Sequence, residues 1–108
     1  MDNHLSEISV QHLKNRLEGG EEIFLLDVRE PYEFNIANLN GYLLPLGQLQ
    51  TKFDELDPSR EIVVYCHHGN RSAFAVDFLK NRGFERVLNL AGGIDQWSRE
   101  VDSKVPRY

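Results

Sequence analysis

Cys66 is the only cysteine of the chain, and it stands between the apolar run IVVY and a short polar loop, HHGNR. A thiol reacts as its thiolate, and a free cysteine is mostly protonated at neutral pH. Four residues separate Cys66 from Arg71, and a helical pattern begins at that arginine. Loop N–H groups, the positive end of the helix and the guanidinium would together stabilise the thiolate. The spacing therefore predicts a nucleophile.

The other residues of the loop suit an anion-binding cradle around that sulfur. Gly69 permits the backbone angles of a tight loop, and Arg71 supplies a permanent cation with forked donors. Asn70 and Ser72 offer further donors, although Ser72 is equally suited to cap the helix. We therefore expect residues 67–72 to bind the substrate.

The histidines and the cysteine also have simpler interpretations. His67 and His68 either lend a donor or positive charge to an anionic substrate at mildly acidic pH, or they only face solvent. A strand-end cysteine often only packs in a core. A metal site is not expected, because adjacent residues such as Cys66 and the two histidines rarely direct their side chains to one ion. His4 and His12 show no partner at ligand spacing. No cofactor is expected either.

Strands that alternate with helices position these residues. Apolar runs predict strands at 23–28, 61–66 and 87–90, with a brief one within 42–44. Helical patterns occur in five segments. They are the segment capped by Ser9, the segment that begins at Pro31, the segment that bears Leu49, Phe53 and Leu56, and residues 71–83 and 92–101. This alternation predicts an α/β domain with an open parallel sheet and helices on both faces. Ligands bind at the carboxyl ends of such strands, where both DVRE and Cys66 lie.

Length and charge limit the classes of function. The 108 residues fit one compact domain, 1–108, and nothing demands more than a monomer. The net charge of −5 argues against nucleic-acid binding, since a phosphate backbone repels an acidic surface. No apolar run approaches the roughly 20 residues that cross a bilayer, and the start lacks a secretory signal. A lone thiol suits a reducing compartment, so we expect a cytoplasmic protein that binds no membrane.

Three separated segments carry a family resemblance: LLDVREPYEF, IVVYCHHGNRS and GFERVLNLAGGIDQW. In this order they resemble the rhodanese domain, a sulfurtransferase family, over essentially the whole chain. The resemblance is closest to the carboxyl-terminal rhodanese domains of molybdopterin-synthase adenylyltransferase/sulfurtransferase proteins, through YEFNIANLNGYLLPLGQL and the terminal VDSKVPRY. The chain departs from many rhodaneses in having Ala37-Asn38-Leu39 where they carry Gly-His-Ile. It also has no room for an adenylating domain, so it would serve such a pathway in trans.

The resemblance implies a double displacement. Cys66 would take a sulfane sulfur from a donor such as thiosulfate or a protein persulfide, and pass it to cyanide or a thiol with ping-pong kinetics. Loop amides from His67 to Arg71 would stabilise the persulfide anion, and Arg71 would help to bind a small anionic donor. The partners implied are a cysteine desulfurase, a thiol protein or a sulfur-carrier protein.

Three charged residues near the first strand are expected to support the loop. Asp27 and Arg29 match the family's Asp-x-Arg pattern and would brace the loop through hydrogen bonds or an ion pair. For both residues, a surface salt bridge worth under roughly 1 kcal/mol is the alternative. Glu33 has the same two interpretations.

Other functions share this arrangement of residues. Cell-cycle dual-specificity phosphatases resemble rhodaneses in fold and also use a thiolate followed by an arginine, but their loops carry one more residue. The four residues here are expected to fit sulfur more closely than phosphate. Arsenate reduction generally needs further thiols, which this chain lacks. A non-catalytic binding module is the remaining alternative, and the retained cysteine favours an enzyme over it.

Overall fold

A computed structural model describes residues 6–108 of the chain, which leaves His4 outside the described part. Within that part, parallel strands form one sheet, and their bounds are β1 (Glu7–Ile8), β2 (Phe24–Asp27), β3 (Tyr42–Leu43), β4 (Ile62–Tyr65) and β5 (Val87–Leu90). The order across the sheet is β1-β5-β4-β2-β3, and every neighbouring pair is parallel. The predicted parallel sheet is confirmed.

A helix lies in each segment in which the sequence predicts one, although Phe53 falls in a 3-10 turn and Leu56 lies beyond that turn. The bounds of the helices are α1 (Val10–Glu18), α2 (Pro31–Ile36), α3 (Leu46–Lys52), α4 (Asn70–Lys80) and α5 (Gly93–Glu100), with a 3-10 turn at Phe53–Glu55. Ser9 caps α1 by accepting a hydrogen bond from the N–H of His12. None of the helices within residues 6–108 combines the length and the apolar character needed to cross a membrane.

The central strand β4 is buried on both faces, as expected for a strand covered by helices on each side. One core joins its residues Ile62 and Val64 to α3 and α4, and another joins Val63 and Tyr65 to α1 and α5. The two cores lie on opposite faces because successive side chains of a strand alternate. The predicted open sheet with helices on both faces is therefore confirmed.

The edge strand β1 is the element that the sequence analysis misses. Its two residues pair with Asn89 and Leu90 of β5, and Ile8 is buried there. A strand of two residues followed at once by the cap of α1 is too short to show a period-two pattern. Its position next to β5 makes β5 an interior strand, paired on both sides.

The start of α5 contacts the loop that follows β4. The N–H groups of Ile94 and Asp95 donate to the carbonyl oxygens of Cys66 (2.9 Å) and His67 (3.1 Å). Gly93 has a φ of +63°, and a Cβ at this position would lie 2.5 Å from both carbonyl oxygens. Glycine is therefore required here, because a side chain would separate the helix from the loop.

We predict that Gly93→Ala lowers the free energy of unfolding by about 3 kcal/mol, through the left-handed backbone and the steric overlap. Gly47→Ala is the matched control, since no atom lies within 4 Å of its added Cβ. In α3 this change should stabilise the protein by about 0.5 kcal/mol. Urea unfolding of both variants checks the prediction, which is contradicted if Gly93→Ala is as stable as the wild type.

Candidate active site

Cys66 follows β4 at the carboxyl end of the sheet and is 1% exposed. Its Sγ accepts hydrogen bonds from the N–H of Gly69 (3.1 Å) and the N–H of Ser72 (3.4 Å). The Ser72 hydroxyl oxygen lies 3.2 Å from the same sulfur. Gly69 holds a φ of +110°, which turns the chain around the sulfur and which other residues rarely adopt. The arrangement places several donors where a thiolate would need them.

The loop geometry differs from the expectation in two details. Gly69 is the N-cap of α4, so Ser72 lies inside the helix and does not cap it. Of the amides from His67 to Arg71, that of Gly69 alone bonds the sulfur within residues 6–108, and the second amide at the sulfur belongs to Ser72. The sulfur therefore sits against the first turn of α4 rather than at the centre of the whole loop.

Asn89 of β5 is a site residue that the sequence analysis does not identify. Its side-chain oxygen accepts a hydrogen bond from the Ser72 hydroxyl (2.6 Å), and its amide nitrogen donates to the carbonyl oxygen of Gly69 (3.1 Å). The side chain is buried, so both bonds are made without competition from water. Asn89 thus fixes both residues whose N–H groups contact the sulfur. A polar residue within the apolar strand VLNL was the available signal.

Arg71 forms a paired contact with Glu33 of α2. Its two terminal nitrogens donate to the two carboxylate oxygens at 2.6 and 2.8 Å. The side chain of Glu33 is 4% exposed and that of Arg71 is 35% exposed. The hydrogen bonds from Arg71 outweigh the opposing effect of burial and lower the pKa of Glu33 to about 2. Glu33 therefore belongs to an ion pair whose carboxylate is buried, and not to an exposed surface pair.

Asp27 and Arg29 form a second buried ion pair, at the end of β2. Arg29 Nε donates to Asp27 Oδ1 (2.9 Å) and Nη2 donates to Asp27 Oδ2 (2.8 Å). Arg29 Nη2 also donates to the carbonyl oxygen of Ala37 (2.6 Å), beyond the end of α2. Both charged side chains are fully buried, so the surface alternative does not describe them. Within residues 6–108, the hydrogen bonds of this pair reach α2 and Tyr108 but not the loop around Cys66.

Tyr108 links the two ion pairs, and the sequence analysis notes it only as part of a terminal motif. Its hydroxyl accepts a hydrogen bond from Arg29 Nη1 (2.7 Å) and donates to Glu33 Oε2 (2.7 Å). Its ring stacks on that of His67, with the centroids 3.9 Å apart and the planes 8° from parallel. The residue therefore connects Arg29, Glu33 and the loop.

The two histidines have different environments. His67 is stacked between Tyr108 and His68, and its Nε2 is buried without a hydrogen-bond partner in the described part of the chain. Burial, and next the neighbouring His68, lower the pKa of His67. The lowered pKa means that His67 takes up a proton less readily than an exposed histidine does, which argues against a role as a positive charge. His68 is 61% exposed, with its Nε2 4.0 Å from Asp95.

Possible metal ligands gather at one point of the site. Ligand atoms of His67, His68 and Asp95 lie within 4.8 Å of one another. Both oxygens of Asp95 already accept hydrogen bonds, from Arg99 (3.0 Å) and Arg107 (3.1 Å). A cation would meet two guanidinium groups there, so the electrostatics do not favour a metal.

Comparison with known proteins gives consistent matches. A family model described as the Rhodanese-like domain matches residues 9–100. The chain is 36% identical over 96 residues to a sulfurtransferase of Allochromatium vinosum, covering 88% of this chain and 90% of that protein. It is 33% identical over 111 residues to the Zea mays protein "Adenylyltransferase and sulfurtransferase MOCS3-1", covering 95% of this chain and 24% of that one.

Solved structures agree with these matches. The crystal structure of a rhodanese-related protein from Thermoplasma volcanium superposes with a TM-score of 0.80 and 33% identity, covering 88% of this chain and 92% of that one. The chain spans 54% or less of the length of several curated relatives that it matches.

The pair of Glu33 and Arg71 predicts a specific dependence of stability on pH. The pKa of Glu33 falls from 4.5 to about 2 on folding, so its contribution is complete well above pH 4.5 and is lost as the pH falls towards 2. Between pH 6 and pH 3 the wild type should lose about 2 kcal/mol relative to Glu33→Gln. Unfolding in urea at both pH values measures this. Glu18→Gln, at an exposed pair with Lys14, is the matched control and should follow the wild type.

The two hydrogen bonds of the Tyr108 hydroxyl lead to a second prediction, about the free energy of unfolding. Tyr108→Phe keeps the ring on His67 but leaves buried groups of Arg29 and Glu33 with one partner fewer, which should cost about 1.5 kcal/mol. Tyr42→Phe is the control, because its hydroxyl bonds the exposed Glu55 and its loss should cost less than about 0.5 kcal/mol. Equal unfolding free energies for the two variants would contradict the linking role of Tyr108.

Proposed function

The chain belongs to the rhodanese-like domain family, and on this basis we propose that it is a sulfurtransferase that carries a sulfane sulfur on Cys66. The observation that carries the proposal is the buried Sγ of Cys66, held against two backbone N–H groups and the hydroxyl of Ser72. A buried sulfur that only packs in a core would need none of these donors. Donors aimed at one sulfur instead favour an anion there.

Ser72 and Asn89 would form hydrogen bonds that suit both the thiol and the thiolate form of Cys66. The Ser72 hydroxyl donates its proton to Asn89, so its oxygen can accept the S–H proton of Cys66, 3.2 Å away. When that proton is lost to solvent, rotation of the hydroxyl lets it donate to the thiolate instead. Asn89 would keep its bond to Gly69 in both states. The thiolate is then held by three donors.

The proposed reaction has two displacements. In the first, the Cys66 thiolate attacks the outer sulfur of the donor, a new S–S bond forms, and the donor's own bond to that sulfur breaks. The electron pair leaves with sulfite if the donor is thiosulfate, or with a thiolate if it is a persulfide. In the second, an acceptor nucleophile attacks the outer sulfur of the Cys66 persulfide and the thiolate is restored. Ping-pong kinetics follow.

The partners belong to the same proposal. The donor is a sulfane-sulfur compound such as thiosulfate or the persulfide of a cysteine desulfurase, and the acceptor is a thiol protein or a sulfur-carrier protein. The name of the Zea mays relative, which includes sulfur transfer, supports sulfur transfer by this chain. A lone reactive thiol supports action in the cytoplasm. The supporting residues Asp27, Arg29 and Glu33 are proposed to position the loop through Arg71 and Tyr108.

Intact-mass measurement tests the proposal. The purified protein, first cleared of sulfur with cyanide, is incubated with thiosulfate and separately with glutathione persulfide. We expect the mass to increase by one sulfur atom with at least one donor, and cyanide to remove that atom. Cys66→Ser should abolish the increase, because the serine hydroxyl is a far weaker nucleophile.

Two results would contradict the proposal. One is the absence of a cyanide-sensitive adduct with both donors in a protein that melts cooperatively. The other is hydrolysis of an aryl phosphate at a useful rate, which would favour a phosphatase. Cys66→Ser with the same melting temperature as the wild type serves as the control for folding, since the sulfur and the hydroxyl differ little in size.

A further inference from the structure

We propose that the donor is the persulfide of a thiol, R–S–SH, and that small dianions such as thiosulfate are poor donors. The inference rests on the proposed function and narrows its substrate class. The observation behind it is that Arg71, the cation closest in sequence to the sulfur cradle, has its charge neutralised by Glu33. Each terminal nitrogen of the guanidinium donates one hydrogen bond to that carboxylate.

Glu33 is itself held firmly in place. Besides the two bonds from Arg71, it accepts a bond from the hydroxyl of Tyr108 (2.7 Å) and one from the backbone N–H of Glu30 (3.1 Å). A carboxylate that is almost fully buried cannot turn to solvent if Arg71 leaves it. Releasing Arg71 to a substrate would leave an unpaired buried charge, which is strongly unfavourable. Arg71 therefore stays with Glu33 during binding.

Within residues 6–108, the other basic residues near the site are paired with carboxylates, screened by solvent or neutral. Arg29 is buried and paired with Asp27. Arg99 and Arg107 share Asp95 and are each 53% exposed, so solvent screens their charges. His67 is stacked between two rings and is neutral near pH 7. The arginines near the sulfur are thus each held by a carboxylate: Arg29 and Arg71 in one-to-one pairs, and Arg99 and Arg107 together by Asp95 at the solvent-exposed surface.

The site should bind a dianion such as thiosulfate less well than a persulfide. Cys66 is 1% exposed, so the attacked atom of the donor must leave water to reach it. Thiosulfate would bring three further oxygens and two charges to a site whose arginines, within residues 6–108, are already engaged by carboxylates, and the loss of hydration would not be offset. A persulfide ends in one sulfur atom and carries at most one charge. That single charge is what two N–H groups and a hydroxyl can stabilise.

The transfer balances without any further reagent. The Cys66 thiolate attacks the outer sulfur of R–S–SH, a bond forms between the two sulfurs, and the bond between R–S and the outer sulfur breaks. R–S⁻ leaves with the electron pair and takes up the proton of the transferred S–H. The products are the Cys66 persulfide anion and R–SH, and no net oxidation occurs.

Steady-state kinetics with the full chain tests the inference. Glutathione persulfide, a persulfidated cysteine peptide and thiosulfate are compared as donors, with cyanide as the common acceptor. We expect kcat/KM for at least one of the two persulfides to exceed that for thiosulfate by about 100-fold, as the missing counter-charge implies. Comparison of the two persulfides tells whether a small thiol or a peptide cysteine is preferred.

Glu33→Gln tests the cause of the preference. This change frees the charge of Arg71, so KM for thiosulfate should fall by about tenfold while KM for the persulfides changes less than about threefold. Glu18→Gln alters the net charge equally at an exposed pair and should leave both values unchanged. If Glu33→Gln does not fold, the comparison of donors on the wild type still decides the inference.

The failures of the two proposals are distinguishable. If no donor yields a Cys66 persulfide, the proposed function fails. If thiosulfate reacts as efficiently as both persulfides, sulfur transfer stands and the inference is overturned. A thiosulfate KM that does not fall in folded Glu33→Gln would also overturn it, because the charge of Arg71 would then not limit binding.

Discussion

The carboxylate of Glu33 is the contact on which the arrangement of the site depends. It accepts hydrogen bonds from Arg71 in α4, from Tyr108 and from the backbone of Glu30, so it joins three separate parts of the chain. Because Glu33 lies in the first turn of α2, the position of that short helix sets the position of Arg71. A buried ion pair adds little net stability, but it strongly disfavours other arrangements of its partners.

Asp27 and Arg29 extend this network towards the sheet. Arg29 bonds the carbonyl oxygen of Ala37 and the hydroxyl of Tyr108, so the pair fixes both the end of α2 and the side chain that contacts Glu33. The opposite side of the loop is held by α5, whose first N–H groups bond the carbonyl oxygens of Cys66 and His67. The loop is therefore fixed from two directions while the N–H groups of Gly69 and Ser72 remain directed at the sulfur.

Much of this could be predicted from the sequence because it depends on local patterns. Apolar runs identify β2, β4 and β5, and the residues Gly69 and Arg71 mark the loop after Cys66. Asn89 and Tyr108 could not be assigned, because each acts on residues far away in the chain, Tyr108 on Arg29 and Glu33 and Asn89 on Gly69 and Ser72. The engagement of Arg71 by Glu33 is missed for the same reason. A local sequence pattern shows which side chains are present and how they are spaced, but not which distant residue each of them contacts.

The same ion pair has two opposite consequences for chemistry. It positions Arg71 beside the loop, and it offsets the charge that makes an arginine useful for binding anions. In the proposed reaction, stabilisation of an anion on Cys66 is then left to Gly69, Ser72 and the dipole at the start of α4, which act over a short range. Such donors stabilise a charge on the bound sulfur more than a charge carried elsewhere on a donor. A site of this kind discriminates by where the negative charge lies, and not by how much of it the donor brings.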